Sequence, residues 1–216
     1  MVRRRVQREP VAYILGRKGF RRIELVVDRR VLIPRPETEL LVEVAVELGA
    51  RAAIDVGTGS GAIALAVADE LPAIRVTAID TSMDALRVAQ VNADRLGLTD
   101  RVDVVNRGIA SLDSSGPCDL LLANLPYVSE SEWEGLAPEI REYEPREALV
   151  AGSTGLEAIE GLLASVAELE MRPASVALEI GAEQATAVSE LVRGAGYTEV
   201  ETRRDLAGLD RVVIGR

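Results

Sequence analysis

Three short stretches bring together residue types that can do chemistry. The first is Asp55-Val56-Gly57-Thr58-Gly59-Ser60-Gly61-Ala62, set between an apolar strand-like run and an apolar helix-like run. Its glycines let the chain turn tightly and let a ligand approach the main chain. The helix start behind them offers N–H groups to a phosphate or carboxylate. Asp80 lies 19 residues past Gly61, at the end of the next strand, where a carboxylate can accept both hydroxyl hydrogens of a ribose. This pair reads as a site for a nucleoside-containing cofactor. Gly57, Gly59 and Ala62 also satisfy the loose dinucleotide pattern, so NAD stays open on this piece alone.

The second stretch is Asn124-Leu125-Pro126-Tyr127, directly after the apolar run Leu120–Ala123. An Asn at a strand end, followed by a Pro-stiffened turn, projects an amide and backbone carbonyls into a cleft. These can accept both hydrogens of a planar NH₂ group, and Tyr127 can pack on its flat face. No base is needed if the nitrogen is alkylated before it loses a proton; orientation and proximity are then worth up to ~7–11 kcal/mol. A plain turn would also use Asn and Pro, but the Gly loop and Asp80 upstream favour function. The third stretch is Ile33-Pro34-Arg35-Pro36-Glu37-Thr38-Glu39. Its prolines and Thr38 suit a helix start. That leaves the clustered Arg35, Glu37 and Glu39 unexplained.

The elements that position these stretches follow from periodicity. Residues 12–33 read as a β-hairpin: Ile23 and Leu25 alternate with charged residues, and Val31 to Ile33 follow Asp28-Arg29-Arg30. Thr38 opens a helix through about Leu48. Strands and helices then alternate: strands at 52–56, 74–79, 102–105, 119–123 and 175–180; helices at 61–71, 82–96, 156–169 and 183–195. Gly97 stops the helix that carries Leu86, Ala89, Ala93 and Leu96 at 3–4 spacing. Residues 126–147 read as a long irregular segment. Two last strands near 198–202 and 211–214 are close enough to pair antiparallel. Such alternation implies a mostly parallel, doubly wound sheet with helices on both faces. Ligands in such sheets sit beyond the carboxyl ends of the strands, at the switch point.

Composition removes several alternatives. The 216 residues include no His and one Cys. A His/Cys metal site, a Ser-His-Asp or Cys-His centre and an intramolecular disulfide at Cys118 are excluded. No stretch reaches the ~18 uncharged apolar residues of a membrane span, and Met1 to Pro10 lacks the apolar core of a signal peptide; the expectation is a cytoplasmic protein with no membrane partner. Charge is uneven: Met1 to Arg35 carry a net +8 and the remainder −18. The basic segment could face an anionic partner, but the acidic bulk opposes duplex DNA, and 3% aromatics leave few stacking platforms for single strands.

Together the motifs resemble the HemK/PrmC family, protein-(glutamine-N5) methyltransferases that act on peptide chain release factors. Matching segments run in order along nearly the whole chain: Arg8–Gly16, Ile33–Glu39, Asp55–Gly61, Asn124–Tyr127, Glu144-Pro145-Arg146, Ala151–Leu156, Leu178–Gly181 and Asp205–Arg211. The resemblance implies a Rossmann-like class I methyltransferase fold with a seven-stranded sheet. It implies an N-terminal β-hairpin segment at 1–35 and a catalytic domain at 36–216. It implies S-adenosylmethionine as methyl donor, with Gly57, Thr58, Gly59, Ser60 and Gly61 around its methionine end and Asp80 on its ribose. Asn124, Leu125, Pro126 and Tyr127 would hold the glutamine amide of a Gly-Gly-Gln motif, and nucleic acid would be met only indirectly, through the ribosome.

Three departures stand out. The family's Asn-Pro-Pro-Tyr is here Asn-Leu-Pro-Tyr; Leu125 keeps the carbonyl but lacks a fixed φ. The place of an acidic residue near the adenine falls at Gly108, with Ile109 beside it, so an apolar or backbone contact is expected there. Family members usually carry a helical domain ahead of the hairpin, whereas this chain begins almost at the hairpin. The expectation is a truncated start or a different mode of recognition, with the catalytic residues intact. Two further readings keep the cofactor: methylation of an adenine amino group of RNA, since Asn-Leu-Pro-Tyr also resembles the ribosomal RNA adenine dimethyltransferases, and a catalytically silent binding protein. An NAD dehydrogenase lacks a hydride-transfer acid here. Glu144 is expected to help close the site, Asp210 and Arg211 to form a surface pair at a turn, and Trp133 to contact a partner or anchor local packing.

Overall fold

The computed structural model describes residues 1–111 and 118–216. Two single-turn helices, α1 (Val2–Val6) and α2 (Val11–Leu15), precede a hairpin of β1 (Arg17–Phe20) and β2 (Ile23–Val26). A 3-10 turn, Pro36–Thr38, leads into α3 (Glu39–Leu48). Then follow β3 (Ala52–Val56), α4 (Ala62–Glu70), β4 (Arg75–Asp80), α5 (Met83–Leu96), β5 (Val102–Asn106) and β6 (Leu120–Ala123). The segment beyond β6 holds β7 (Val128–Ser129), α6 (Glu130–Trp133), α7 (Pro138–Arg141), a 3-10 turn at Arg146–Ala148, and β8 (Val150–Gly152). The chain ends with α8 (Glu157–Glu168), β9 (Ser175–Glu179), α9 (Ala185–Gly194), β10 (Val200–Arg204) and β11 (Asp210–Gly215).

Seven strands form one sheet in the order β10-β11-β9-β6-β3-β4-β5. β11 runs antiparallel to both neighbours and the remaining pairs are parallel. This is the α/β, Rossmann-like arrangement that the alternation implied. Side chains alternate between two apolar layers, as the pleat requires. Leu120 and Leu122 of β6 face the layer of α3, α4 and the hairpin, whereas Leu121 and Ala123 face that of α8 and α9. β6 and β9 are buried on both faces, which is why they read as continuous apolar runs. α4 is buried from Ala62 through Ala68, and its alanines let it sit close to the sheet. Ser82 caps α5 through Ala85 N–H at 3.2 Å, and Gly97 ends it in the left-handed region at φ 67°.

The hairpin lies upstream of its expected place. Ile23 and Leu25 do point inward, but their partner is Arg17–Phe20, and Val31–Ile33 is not a strand. The turn uses Arg21 at φ 50°, an unfavourable conformation for a long side chain. It is held from three sides. Arg21 N–H donates to Glu39 at 3.1 Å, and its guanidinium donates to Glu70 at 2.7 Å and Glu43 at 2.8 Å. Val31–Ile33 satisfies its backbone with side chains instead of a ladder. The Val31 carbonyl accepts from the Tyr13 hydroxyl at 2.6 Å, and Ile33 N–H donates to Glu144 at 3.1 Å. Residues 126–147 are more ordered than expected: α6 starts in a full capping box between Ser129 and Glu132.

Asn92 of α5 joins the hairpin to the Gly loop. It is 1% exposed; its side chain accepts from Val26 N–H at 2.7 Å and donates to the carbonyls of Val26 and Ser60 at 3.0 and 2.9 Å. Asn92→Ala leaves these three groups without their partner, at about 1–3 kcal/mol for a buried group. We expect a total loss of roughly 3 kcal/mol in urea unfolding; a loss under about 1 kcal/mol would show that water replaces the amide without cost.

Candidate active site

β3 and β6 lie side by side in register, Val56 beside Ala123. The Gly loop and the Asn124 turn therefore leave the sheet together, at the point where the strand order reverses. They approach closely: a Cβ on Gly57 would lie 3.0 Å from Leu125 Cδ2. Gly57 also has φ 74°, so both conformation and space require glycine there. Gly57 and Thr58 donate their N–H groups to the Ile79 carbonyl at 2.9 and 3.0 Å, which ties the loop to the end of β4.

Between these loops is a cavity of about 240 Å³. Gly57, Gly59, Asp80, Ile109, Asn124, Leu125 and Pro126 all line it. Thr58, Ser60, Gly61 and Tyr127 are not among its lining residues. Thr58 is buried and donates to Asp55 at 2.6 Å. The Ser60 carbonyl accepts from Asn92, and Gly61 packs against Leu65 at the head of α4. The Tyr127 hydroxyl turns to Glu179 at 3.3 Å. The far wall comes from residues that sequence reading did not assign to it: Arg30, Val31 and Leu32 beyond the hairpin, with Pro145, Glu147 and Ala148.

The carboxylates of the site divide by environment. Asp80 is half-buried; one oxygen accepts from Gly59 N–H and the other from Ser82 N–H, each at 2.9 Å. Each oxygen keeps a lone pair for a further donor. Asp55 is fully buried. One of its oxygens accepts from Thr58 and from Ala64 N–H at 3.2 Å, and the other has no partner among the described residues. Thus one of the N–H groups at the start of α4 is taken by Asp55. Burial pushes the Asp55 carboxyl up to about 7. Glu179, at the end of β9, is 1% exposed, and burial likewise pushes it up to about 7, against the Thr38 hydroxyl, Arg211 and the Tyr127 hydroxyl.

Asn124 points its Nδ2 at Thr38 Oγ1, 3.0 Å away. Thr38 makes no capping bond to α3; its hydroxyl serves the site. Among the described residues, neither Asn124 Oδ1 nor the Leu125 carbonyl accepts a hydrogen bond. Two acceptors on residues that line the cavity are thus left without a donor among the described residues, the pattern that an NH₂ group needs. The third stretch resolves by the same geometry. Arg35 donates to Glu144 at 2.5 Å, and Glu144 also takes Ile33 N–H; this pair joins the segment after the hairpin to the turn before Pro145, and neither residue is among those that line the cavity. Glu39 holds the hairpin turn, and Glu37 lies in the field of Glu179. Arg211 pairs with Asp205 at 3.1 Å and donates to the Ile180 carbonyl at 3.1 Å. It is the Asp205 pair, 14% and 7% exposed in its side chains, that anchors Arg211; Asp210 pairs with Arg204 instead. The Arg146 guanidinium stacks on Trp133 at 5.4 Å, a local packing contact.

Asp55 and Glu179 set an expected pH dependence. Between about pH 4 and 7 the folded chain keeps protons that the unfolded chain has released, so stability falls as pH rises through that window. Carboxylates held low, such as Glu157 at about 2 through the Thr154 N–H, act below it. The urea midpoint should therefore drop from pH 5 to pH 8, and Asp55→Asn should remove part of the drop. A midpoint that climbs over this range would contradict two buried neutral acids.

Residues 36–145 match the methyltransferase small domain family model. A release factor glutamine methyltransferase of Caulobacter vibrioides is 43% identical over 98% of this chain and 75% of its own length. That of Chlorobaculum tepidum is 42% identical over 97% and 75%. Among solved structures, the human Mettl16 catalytic domain in complex with a MAT2A 3′UTR hairpin superposes with a TM-score of 0.72, covering 88% of this chain and 74% of its own at 17% identity. The N-terminal domain of human METTL16 in complex with SAH gives 0.63, covering 88% and 75% at 16% identity. These structures share the class I methyltransferase fold. With such identity carried across nearly its full length, the chain belongs to the release factor glutamine methyltransferase family.

Proposed function

We propose that this enzyme binds S-adenosylmethionine in the cavity between the Gly loop and the Asn124 turn, and transfers its methyl group to the side-chain nitrogen of a glutamine in the Gly-Gly-Gln motif of a peptide chain release factor. The observation that carries the reading is the pair of free acceptors, Asn124 Oδ1 and the Leu125 carbonyl, on residues that line the same cavity as Asp80. The names of the relatives supply the acceptor. A cytoplasmic setting follows from that acceptor, and among the described residues no helix is long and apolar enough to cross a membrane.

The residues present fit the cofactor. Glycine at position 57 leaves room beside Leu125 that a Cβ would fill. Asp80 keeps lone pairs for ribose hydroxyls, and Ile109 with Gly108 offers an apolar, backbone-lined place for the adenine. Bound there, S-adenosylmethionine supplies an electrophilic sulfonium methyl. Asn124 Oδ1 and the Leu125 carbonyl accept the two hydrogens of the glutamine NH₂ group. That would hold the amide plane still and present its nitrogen for alkylation. With the cofactor bound, the N–C bond would form at the expense of the C–S bond, and the nitrogen would then release a proton to solvent. Positioning and preorganised dipoles supply the catalysis. Thr58, Ser60 and Gly61 act by shaping the loop, and Tyr127 by anchoring its turn. An RNA acceptor gains less from the basic N-terminal segment than its charge suggests, because Arg4, Arg5, Arg8, Arg21 and Arg35 pair with Glu9, Glu139, Glu70 and Glu144.

Two substitutions separate the roles. Asn124→Ala should cut methyl transfer to a release factor by roughly 100-fold or more while leaving cofactor affinity within about twofold, measured by labelled-methyl incorporation and calorimetry. Equal loss of both would remove Asn124 from acceptor binding. Asp80→Ala should instead weaken cofactor affinity by about tenfold or more, the loss of one charge-assisted hydrogen bond or two; unchanged affinity would take the ribose away from Asp80.

A further inference from the structure

An amide that lines the cavity serves an NH₂ acceptor only in one of its two orientations. Flipped, Asn124 would present Nδ2 and meet donors with donors. What fixes the orientation is Thr38, which accepts from Nδ2 at 3.0 Å. A hydroxyl can donate or accept, so Thr38 alone does not settle the direction. Its single proton must be committed elsewhere.

Buried behind it is Glu179, which ionises as the pH rises through about 7 and in that form only accepts. The Thr38 hydroxyl stabilises that carboxylate, and the Tyr127 hydroxyl donates to it at 3.3 Å. Thr38 and Glu179 are 3% and 1% exposed, so water does not compete freely for either. Arg211, a cation that acts on Glu179, is itself anchored on Asp205 and the Ile180 carbonyl. Register explains why the parts meet: Leu178 of β9 lies beside Ala123 of β6, so Glu179 sits beside the start of the Asn124 turn.

We propose that Glu179 and Thr38 are positioning residues that set the direction of hydrogen bonding: Glu179 takes the Thr38 proton, Thr38 oxygen then takes Asn124 Nδ2–H, and Asn124 Oδ1 faces the acceptor. Glu179 holds the other end of the same turn through Tyr127. The inference rests on the reading of Asn124 as the group that holds the acceptor nitrogen.

The test has one readout without substrate and one with it. In full-length protein labelled with ¹⁵N at asparagine, the Asn124 side-chain NH₂ should exchange slowly with solvent in the wild type and in Thr38→Ser, and roughly tenfold faster in Thr38→Val. With a release factor as acceptor, Thr38→Val should lower kcat by roughly 10- to 100-fold with cofactor affinity unchanged. Thr38→Ser should restore kcat to within about threefold, since it keeps the hydroxyl. Glu179→Gln, whose amide can accept or donate, should lower kcat with a smaller change in KM. Exchange at Asn124 that is unaltered in Thr38→Val overturns the relay whatever the acceptor is. So does a Thr38→Val enzyme of normal kcat, or a Thr38→Ser enzyme as slow as Thr38→Val at equal melting temperature. A slow-exchanging wild type that methylates no release factor overturns the reading of the acceptor instead.

Discussion

The register between β3 and β6 is the constraint on which the site depends. A parallel pair buried on both faces cannot slip by one residue without exchanging the apolar layers. Ala123 therefore stays beside Val56, and the loops that follow leave the sheet within van der Waals reach of each other. Everything else at the site is an elaboration of that closeness. Gly57 gives Leu125 its space, Asp80 grips the loop through Gly59, and Asn92 ties the same loop to the hairpin.

Buried polar groups hold this arrangement in one state. Asp55 closes the Gly loop onto the head of α4, and Glu179 stands beside the start of the Asn124 turn; both are buried, where a charge is costly. Such groups are weak sources of stability, since burial works against their ionised forms. Their value lies in direction: each fixes which neighbours donate and which accept. The N-terminal segment shows the same economy at the surface. Arg5 and Arg8 pair with Glu139, and Arg21 with Glu43 and Glu70, which straps the region of α1 and the hairpin to the rest of the fold.

Much of this was legible in the residues. The central strands run within a residue or two of their expected limits because they are apolar and bounded by Gly, Asp or Pro. The lining residues Gly57, Gly59, Asp80 and Asn124 announce themselves by type and spacing. The hairpin was misplaced because Ile23 and Leu25 alternate correctly but do not reveal their partner; Arg21 turns the chain at positive φ only with the help of Glu39, Glu43 and Glu70, far along the sequence. Thr38 looked like a helix cap, and only the fold shows its hydroxyl turned to Asn124. Glu179 carried one signal, a carboxylate directly after the apolar run Val176–Leu178, whose meaning depends on β6 lying alongside.

The central claim is that two acceptors on residues that line the cavity hold a glutamine NH₂ group for methylation. It is tested most directly by incubating the protein with S-adenosylmethionine carrying a labelled methyl, beside a purified release factor and the same factor with its Gly-Gly-Gln glutamine changed to alanine. The account predicts label on the first and none on the second. Label on both, or on neither while the cofactor binds, would contradict it.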